Sequence, residues 1–252
     1  MSALMYYEKI TAILARIHST QSSAIERAAD CMAQAIAAGH RVYLFGSGHS
    51  VIPVMDVFPR YGSFLGFFPL YDPRLMWSNV VGPGGARELL WLERKEGYAE
   101  VFLQSYPFFP GDVLLAFSHG GLNAAPIETA LYAKARGLTV ITVSSLANAG
   151  VAKPTHSTGK RLSDVADIAI DNCVEPEDAQ VDIGRPEKVA AASTLAGVFI
   201  AMSLVAETAA QLQAKGHPLT TFVSPNVPGI EPNHNQKVFQ SFSRALFSRQ
   251  GS

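Results

Sequence analysis

The chain reads Val42-Tyr43-Leu44-Phe45-Gly46-Ser47-Gly48-His49-Ser50 at one point and Val113-Leu114-Leu115-Ala116-Phe117-Ser118-His119-Gly120-Gly121-Leu122-Asn123 at another, roughly 70 residues later. Each stretch begins with a short apolar run, which is typical of a strand buried on both faces of a parallel sheet. Each run then opens onto small and hydroxyl-bearing residues, and a helical pattern follows. The pair predicts an α/β fold in which both loops lie at the carboxyl ends of parallel strands.

Two such loops side by side predict a binding site for an anion. Glycine lets the backbone approach the ligand, Ser and Asn supply short hydrogen-bonding side chains, and the following helix points unpaired N–H groups at negative charge. The alternative is that both loops are ordinary strand-to-helix connections, where Gly and Ser serve turns and caps. Because the loops form a matched pair, we favour the anion site, and phosphate is the commonest ligand of that geometry. The first prediction is that Ser47, Ser50, Ser118 and Asn123 converge on one anion.

The bulk composition restricts the class of protein. The 252 residues are 48% hydrophobic and 16% charged, which excludes disorder, and the absence of a linker pattern predicts one domain over 1–252. A formal net charge of −1 gives no electrostatic footprint for nucleic acid or for an acidic membrane. Cys31 and Cys173 lack a metal-ligand spacing and are expected to be reduced core residues. We therefore expect no metal and no cofactor, and the N-terminus lacks a secretion pattern, so a cytoplasmic location is expected.

One segment has nearly the length of a membrane span. Residues 189–206 carry no charge, but many of them are Ala, Ser, Thr or Gly, and no Lys/Arg cluster or aromatic belt flanks them. We expect a buried core helix there and no membrane partner.

Helical and strand patterns alternate along the chain, as in a right-handed parallel α/β fold. A long Pro- and Gly-rich loop at 72–85 is the best candidate for a functional loop. The predicted helices are 4–18, 22–38, 52–61, 87–106, 124–136 and 189–206, and the predicted strands are 42–45, 64–70, 113–117, 138–143 and 167–171.

Several segments together resemble the sugar isomerase (SIS) domain superfamily over roughly residues 5–245. Within it, the chain is similar to the single-domain phosphosugar-binding and phosphoheptose isomerase-like group. The segments that carry the resemblance are Phe45-Gly46-Ser47-Gly48-His49-Ser50, the Pro110-Gly111-Asp112 turn with the strand and Ser118 loop after it, Pro126-Ile127-Glu128-Thr129-Ala130, Arg136-Gly137-Leu138-Thr139-Val140-Ile141, Ser157-Thr158-Gly159-Lys160-Arg161-Leu162, Ala166-Asp167-Ile168-Ala169-Ile170-Asp171-Asn172, and Ser224-Pro225-Asn226-Val227-Pro228-Gly229 with His234-Asn235.

The resemblance implies a flavodoxin-like three-layer sandwich, with a central parallel sheet of about five strands and helices on both faces. It also implies that the N-terminal helices, at about 2–38, pack on the domain or on a partner subunit. We expect a homodimer or a tetramer, because these helices and the 189–206 helix offer more apolar surface than one sheet face needs. A monodisperse monomer in light scattering would contradict this.

The chain departs from the superfamily at two places. The second loop usually reads Ser-x-Ser-Gly, whereas here Gly120 stands at the second hydroxyl position after His119. The helix after the first loop often carries two acidic residues, whereas here only Asp56 is present. Asn123 occupies a position where relatives carry a Thr or Asn that contacts phosphate.

The full set of expected substrate-binding residues is Gly46, Ser47, Gly48, His49, Ser50, Ser118, His119, Gly120, Gly121, Asn123, Ser144, Ser193 and Thr194.

The resemblance further implies binding of a phosphorylated sugar and its isomerisation between aldose and ketose through an enediol. That reaction needs a base poised near neutral pH and a group that opens the ring. Glu88 and Glu93 are the acidic candidates, although exposed helix carboxylates are common. We choose Glu88 as base, because it follows the 82–85 loop, and His234 as the ring-opening group, which could reach a neighbouring subunit's pocket.

Two other classes of function remain open. A lyase or etherase acting on an amino-sugar phosphate would use the same pocket and the same proton abstraction. A non-catalytic sugar-phosphate sensor of this superfamily usually carries a DNA-binding helix-turn-helix region, and nothing before Arg41 is basic enough for one.

Overall fold

A central sheet of parallel strands organises the chain. The structure, a computed structural model, describes residues 1–76 and 85–247. Five of the strands found there form the sheet in the order β2-β1-β3-β4-β5, all parallel. They are β1 (Val42–Gly46), β2 (Phe67–Pro69), β3 (Val113–Phe117), β4 (Thr139–Ser144) and β5 (Ile168–Asp171). The predicted α/β class with a parallel sheet is confirmed.

Helices cover both faces of the sheet. Successive side chains of each strand point alternately into the two cores beneath them. Leu44 of β1 and Leu115 of β3 belong to the core beneath α1 (Ser2–Ala37), α2 (Val51–Val57), α8 (Ser193–Ala214) and α9 (His234–Phe247). Tyr43 and Leu114 belong to the opposite core, beneath α3 (Gly85–Leu92), α4 (Tyr98–Leu103), α5 (Ala124–Ala135) and α7 (Leu162–Val165). Successive side chains of a strand point to opposite faces, so strands covered on both sides must be apolar throughout.

The strand register brings the two marked loops together. Gly46 at the end of β1 pairs with Phe117 at the end of β3, so the chain leaves both strands at the same level of the sheet. Strands β3 and β4 end at nearly the same level too, because Phe117 pairs with Val143. The loops that follow β1, β3 and β4 therefore start side by side at the carboxyl edge.

The N-terminal region forms one helix of 36 residues where the sequence predicted two. The hydroxyl-bearing residues between the predicted helices caused the error. Ser19 and Thr20 donate their hydroxyls to the carbonyl of Arg16, and Ser22 donates to that of His18. Such bonds to the preceding turn let these side chains stay within a helix.

Several other elements differ from the prediction: α2 ends at Val57 and not at 61, β2 is shorter than the predicted strand 64–70, and α9 was not predicted. The predicted helix 87–106 is divided into α3 and α4, and Gly97, at a φ of +84°, lies at the break. The predicted helix from 189 begins only at Ser193, because Val189–Ala191 forms β7, which pairs antiparallel with β6 (Ala179–Val181). A further short helix, α6 (Leu146–Val151), follows β4. The hairpin was missed because its small apolar residues fit a helix pattern equally well.

Within the described ranges, α8 is long and apolar enough to cross a membrane by length and composition. The same test is passed by core helices of proteins that do not enter membranes. Helix α8 packs against α1 and α2, and its Ile200, Ala201 and Leu204 are buried. This packing agrees with the expected core helix.

A buried carboxylate fixes the amino edge of the sheet. Asp112 has no exposed surface, and its two carboxylate oxygens accept hydrogen bonds from the backbone N–H groups of Arg41, at 2.9 Å, and Phe109, at 3.0 Å. It thus joins the turn before β3 to the start of β1.

We expect Asp112→Ala to lower the free energy of unfolding by about 2–4 kcal/mol, because two buried N–H groups lose their acceptor. Asp56→Ala is the control, since Asp56 makes a surface ion pair with Arg60 one turn away, and its loss should cost under about 0.5 kcal/mol. Urea unfolding of both variants measures the difference. Equal, small effects would show that the Asp112 bonds contribute little.

Candidate functional site

A small cavity opens at the carboxyl edge of the sheet, between the two marked loops and the start of α8. Its enclosed part has a volume of about 20 Å³, room for about one water. The polar lining residues are His49, Ser50, Ser118, His119, Asn172, Ser193 and Thr194, and the others are Pro53, Phe117, Val143 and Gly197. None of these eleven lining residues is Lys, Arg, Asp or Glu. Hydroxyls and imidazoles rather than full charges therefore define this cavity.

The first loop turns tightly from β1 into α2. A side chain at Gly46 would place its Cβ 2.0 Å from the carbonyl oxygen of Ser50, so only glycine fits there. Gly48 adopts a φ of +57°, which also favours glycine. Its backbone N–H donates to the carbonyl of Leu75 at 2.9 Å. The segment that follows β2 thus supports this loop.

The second loop brings Ser118 and His119 to the cavity from the end of β3. The hydroxyl of Ser118 accepts the backbone N–H of Gly121 at 3.2 Å, and Gly121 has a φ of +62°. The carbonyl of His119 accepts the N–H of Ser145 at 2.9 Å, and the carbonyl of Gly120 accepts the amide of Asn148 at 2.8 Å. The backbone of the loop is thereby held to the segment that follows β4.

The start of α8 supplies the remaining polar lining. Asp178 accepts the N–H groups of Ala192 and Ser193 on Oδ1, and the Ser193 hydroxyl at 2.6 Å on Oδ2. A carboxylate at this position satisfies helix N–H groups that have no partner within the helix. Ser193 therefore offers its oxygen to the cavity as an acceptor, and Thr194 is its neighbour there.

A buried carboxylate joins the same two loops on the other side of the sheet. Glu93, directly after α3, is 7% exposed. Its Oε2 accepts the hydroxyl of Ser47 at 3.0 Å, and its Oε1 accepts the amide of Asn123 at 2.7 Å. Its backbone carbonyl also accepts the N–H of Ala125, in the first turn of α5. Ser47 and Asn123 consequently contact a carboxylate in this state, where the sequence predicted an anion.

Burial raises the pKa of Glu93 above its ordinary value of 4.5. The hydrogen bonds from Ser47 and Asn123 and the charge of Arg94 act in the opposite direction, but desolvation is the larger effect. A raised pKa makes a carboxylate a stronger base than an exposed one, which favours proton transfer.

The predicted binding residues thus lie in four different settings. His49, Ser50, Ser118, His119, Ser193 and Thr194 line the cavity, while Ser47 and Asn123 contact Glu93. Gly46, Gly48, Gly120 and Gly121 shape the loops, and Ser144 is buried at the end of β4, beside Gly121.

The two predicted catalytic residues, Glu88 and His234, do not line this cavity, and their catalytic roles remain predictions. Glu88 is exposed in the first turn of α3, and residues 82–84 of the loop before it lie outside the described residues. The ring of His234 contacts the carbonyl of Thr221 at 2.8 Å and does not border the cavity. Glu88 was chosen because it follows a glycine-rich loop in the sequence. That position does not distinguish an exposed helix residue from one that lines a pocket.

Asn172 and Asp178 are site residues that the sequence prediction missed. Asn172 follows β5 immediately, and its position at a strand end was the signal that could have found it. Asp178 precedes the hairpin that the helix pattern concealed. Among the described residues, no group of three or more His, Cys, Asp or Glu is arranged to hold a metal ion.

Comparison with known proteins now identifies the family. The family model described as SIS domain matches residues 5–145, more than half of the chain. The chain belongs to the SIS domain family. This SIS protein is 38% identical over 225 residues to a UPF0309 protein of Shouchella clausii, covering 89% of this chain and 90% of that relative. It is 37% identical over 238 residues to a UPF0309 protein of Oceanobacillus iheyensis, covering 94% and 95%.

Solved structures show the same fold at low sequence identity. A phosphoheptose isomerase from Neisseria gonorrhoeae aligns with a TM-score of 0.56 at 16% identity, covering 82% of this chain and 97% of that chain. One from Francisella tularensis aligns with a TM-score of 0.52 at 16% identity, covering 81% and 95%. These likenesses confirm the SIS fold of the chain.

The raised pKa of Glu93 predicts how stability depends on pH. The folded state holds the Glu93 proton more tightly than the unfolded state does, so the stability that this proton contributes is lost as pH rises from about 4.5 through the raised pKa. We expect the melting temperature of wild type relative to Glu93→Gln to fall over that interval. Melting curves at successive pH values up to neutral measure it, and a difference that is constant with pH would contradict the assignment.

Proposed function

We propose that this SIS protein binds a phosphorylated sugar at the carboxyl edge of its sheet and isomerises it between aldose and ketose. Family membership and the two hydroxyl-bearing loops support the ligand class. The observation that carries the proposed chemistry is the buried Glu93 carboxyl, whose pKa is raised and which contacts both loops.

Each loop offers residues both to the cavity and to Glu93. In the first loop, Ser47 contacts Glu93 while His49 and Ser50 line the cavity. In the second, Ser118 lines the cavity while Asn123 contacts Glu93. A sugar phosphate that lies across the loops would meet neutral donors at one end and a carboxyl group at the other. This arrangement supports separate places for oxygen binding and for proton transfer.

The proposed reaction moves one proton between adjacent carbons. The Glu93 carboxylate takes the proton from C2 of the open-chain aldose, and the electron pair of that C–H bond forms the C1–C2 double bond of an enediol. The π electrons of the C1 carbonyl move to its oxygen, which takes a proton from solvent. The carboxylic acid then returns its proton to C1 as the C2 hydroxyl releases its proton to solvent, which gives the ketose. The steps are balanced in protons and electrons and need no metal.

Glu93 suits the role of base better than Glu88 does. Glu88 is exposed, whereas Glu93 is desolvated and held in one orientation by Ser47 and Asn123. Gly48 of the first loop lies next to this carboxyl, since a Cβ there would lie 3.9 Å from Oε2 of Glu93. An oriented carboxyl in a low-dielectric environment is the arrangement that general-base catalysis favours.

The experiment compares Glu93→Gln with Glu88→Gln as a matched control. Sugar phosphates that raise the melting temperature of wild type are incubated with each protein in D₂O, and NMR follows isomer formation and deuterium incorporation. We expect Glu93→Gln to keep ligand-induced stabilisation and to lose turnover by roughly 100-fold or more, because the base is removed but the binding donors remain. Glu88→Gln should turn over like wild type.

Four results would change the proposal. Full turnover by Glu93→Gln would exclude Glu93 as the base, and loss of turnover in Glu88→Gln alone would transfer the role to Glu88. Cleavage products in place of isomers would favour the lyase or etherase function. Binding by wild type without any turnover or deuterium exchange would favour a sensor.

A further inference from the structure

The side chain of His119 has one ring nitrogen with a partner and one without. Its Nδ1 lies 3.1 Å from the side-chain nitrogen Nδ2 of Asn172. Its Nε2 is buried and has no hydrogen-bond partner among the described residues. The fold leaves few buried polar atoms unpaired, and each one needs a physical explanation.

Asn172 determines which nitrogen of His119 carries the proton. Its Oδ1 accepts the backbone N–H of Val174 at 3.0 Å, so the amide nitrogen must be the atom that faces His119. An amide NH₂ group can only donate, and Nδ1 must therefore accept with its lone pair. Asn172 is 3% exposed, so water does not compete for this bond. The neutral ring then carries its hydrogen on Nε2.

The unpaired Nε2–H belongs to a residue that borders the cavity. Ser50, Ser118 and Thr194 border the same space, and each has a hydroxyl that can rotate to donate. The space enclosed is large enough for one oxygen-sized group. A ligand oxygen placed there would satisfy the imidazole and would meet hydroxyls from three separate elements.

The Nε2–H of His119 takes no part in holding the loop, because the imidazole meets the fold through Nδ1, which accepts from Asn172. The backbone at this position is fixed by the bond from Ser145 N–H to the His119 carbonyl. The amide of Asn148 fixes the next residue, Gly120, through its carbonyl. A buried donor without an acceptor destabilises the folded state, and such groups persist where function requires them.

We propose that the Nε2–H of His119 donates a hydrogen bond to an oxygen of the bound ligand, and that Asn172 is a positioning residue that sets the required tautomer. The inference rests on the proposed function only in taking the ligand to be the sugar phosphate of this site. The acceptor is a phosphate oxygen or a hydroxyl or carbonyl oxygen of the sugar, and the two sources are separated by the choice of probe.

The binding test uses two substitutions at His119 and one control. His119→Leu removes the donor, whereas His119→Gln places an amide donor near the position of Nε2. Asn148→Ala removes the side-chain bond to the Gly120 carbonyl and leaves the imidazole untouched. Probes are inorganic phosphate, sugar phosphates, and the same sugars without phosphate, and the readout is the dissociation constant from thermal shift or calorimetry.

We expect His119→Leu to bind at least about tenfold more weakly and to melt near the wild-type temperature without ligand, because the unpaired Nε2–H is gone while the buried Asn172 amide loses its acceptor. His119→Gln and Asn148→Ala should bind within a few-fold of wild type. Weakened binding of inorganic phosphate assigns the acceptor to phosphate, and weakening seen only with sugar-containing probes assigns it to the sugar. A His119→Leu protein that is less stable but binds normally would show that the residue is structural and would overturn the inference.

The tautomer is measured directly with ¹⁵N-labelled histidine, the His119 signals being those lost in His119→Gln. Wild type should show the neutral ring with hydrogen on Nε2, and that signal should shift on adding the probe that binds. Asn172→Asp should place a proton on Nδ1, because a carboxylate accepts where the amide donated. A wild-type proton on Nδ1 alone, or an Nε2 signal indifferent to every probe, would overturn the inference whether or not Glu93→Gln loses turnover.

Discussion

The arrangement of the carboxyl edge of the sheet depends on the hydrogen bonds of the Glu93 carboxyl group. Glu93 accepts Ser47 from the loop after β1 and Asn123 from the loop after β3, and its backbone accepts Ala125 at the start of α5. The register of β1 and β3 places the two loops side by side, and the Glu93 side chain links them. Burial and hydrogen bonding shift the pKa of this carboxyl group in opposite directions. Glu93 is therefore both a link between the loops and a titratable group with a raised pKa, which suits it to proton transfer.

The sheet separates the chemistry into two layers. Glu93 belongs to the side of α3 and α5, while the cavity with His119 and Asn172 lies towards α2 and α8. The loops pass between these layers, so adjacent residues such as Gly48 and His49 can face different groups. A ligand that lies over both loops would be held through its oxygens by neutral donors, while its carbons meet the carboxyl. Neutral donors avoid a fixed charge that would compete with the ionised form of the base.

Local patterns predicted the strands and loops because a doubly buried parallel strand has a distinctive apolar run. Ser50 and Ser118 were found in this way, since a residue just after such a strand must lie at the sheet edge. Glu93 could not be ranked above Glu88 by the same reasoning, because burial is decided by distant residues that pack around it. The roles of Asn172 and Asp178 could not be predicted, because their partners His119 and Ser193 lie far from them in sequence. The long α1 was divided in the prediction because hydroxyl bonds within a helix leave no trace in apolar periodicity.

A crystal structure with a bound sugar phosphate that stabilises the protein tests this account most directly. If Glu93 is the base and His119 the donor, a ligand oxygen lies within hydrogen-bond distance of His119 Nε2 and of the hydroxyls of Ser50 or Ser118. The sugar carbons C1 and C2 then lie about 3–3.5 Å from the Glu93 carboxylate. A ligand bound away from these loops, or one whose reacting carbons face Glu88 while Glu93 remains closed by Ser47 and Asn123, would contradict it.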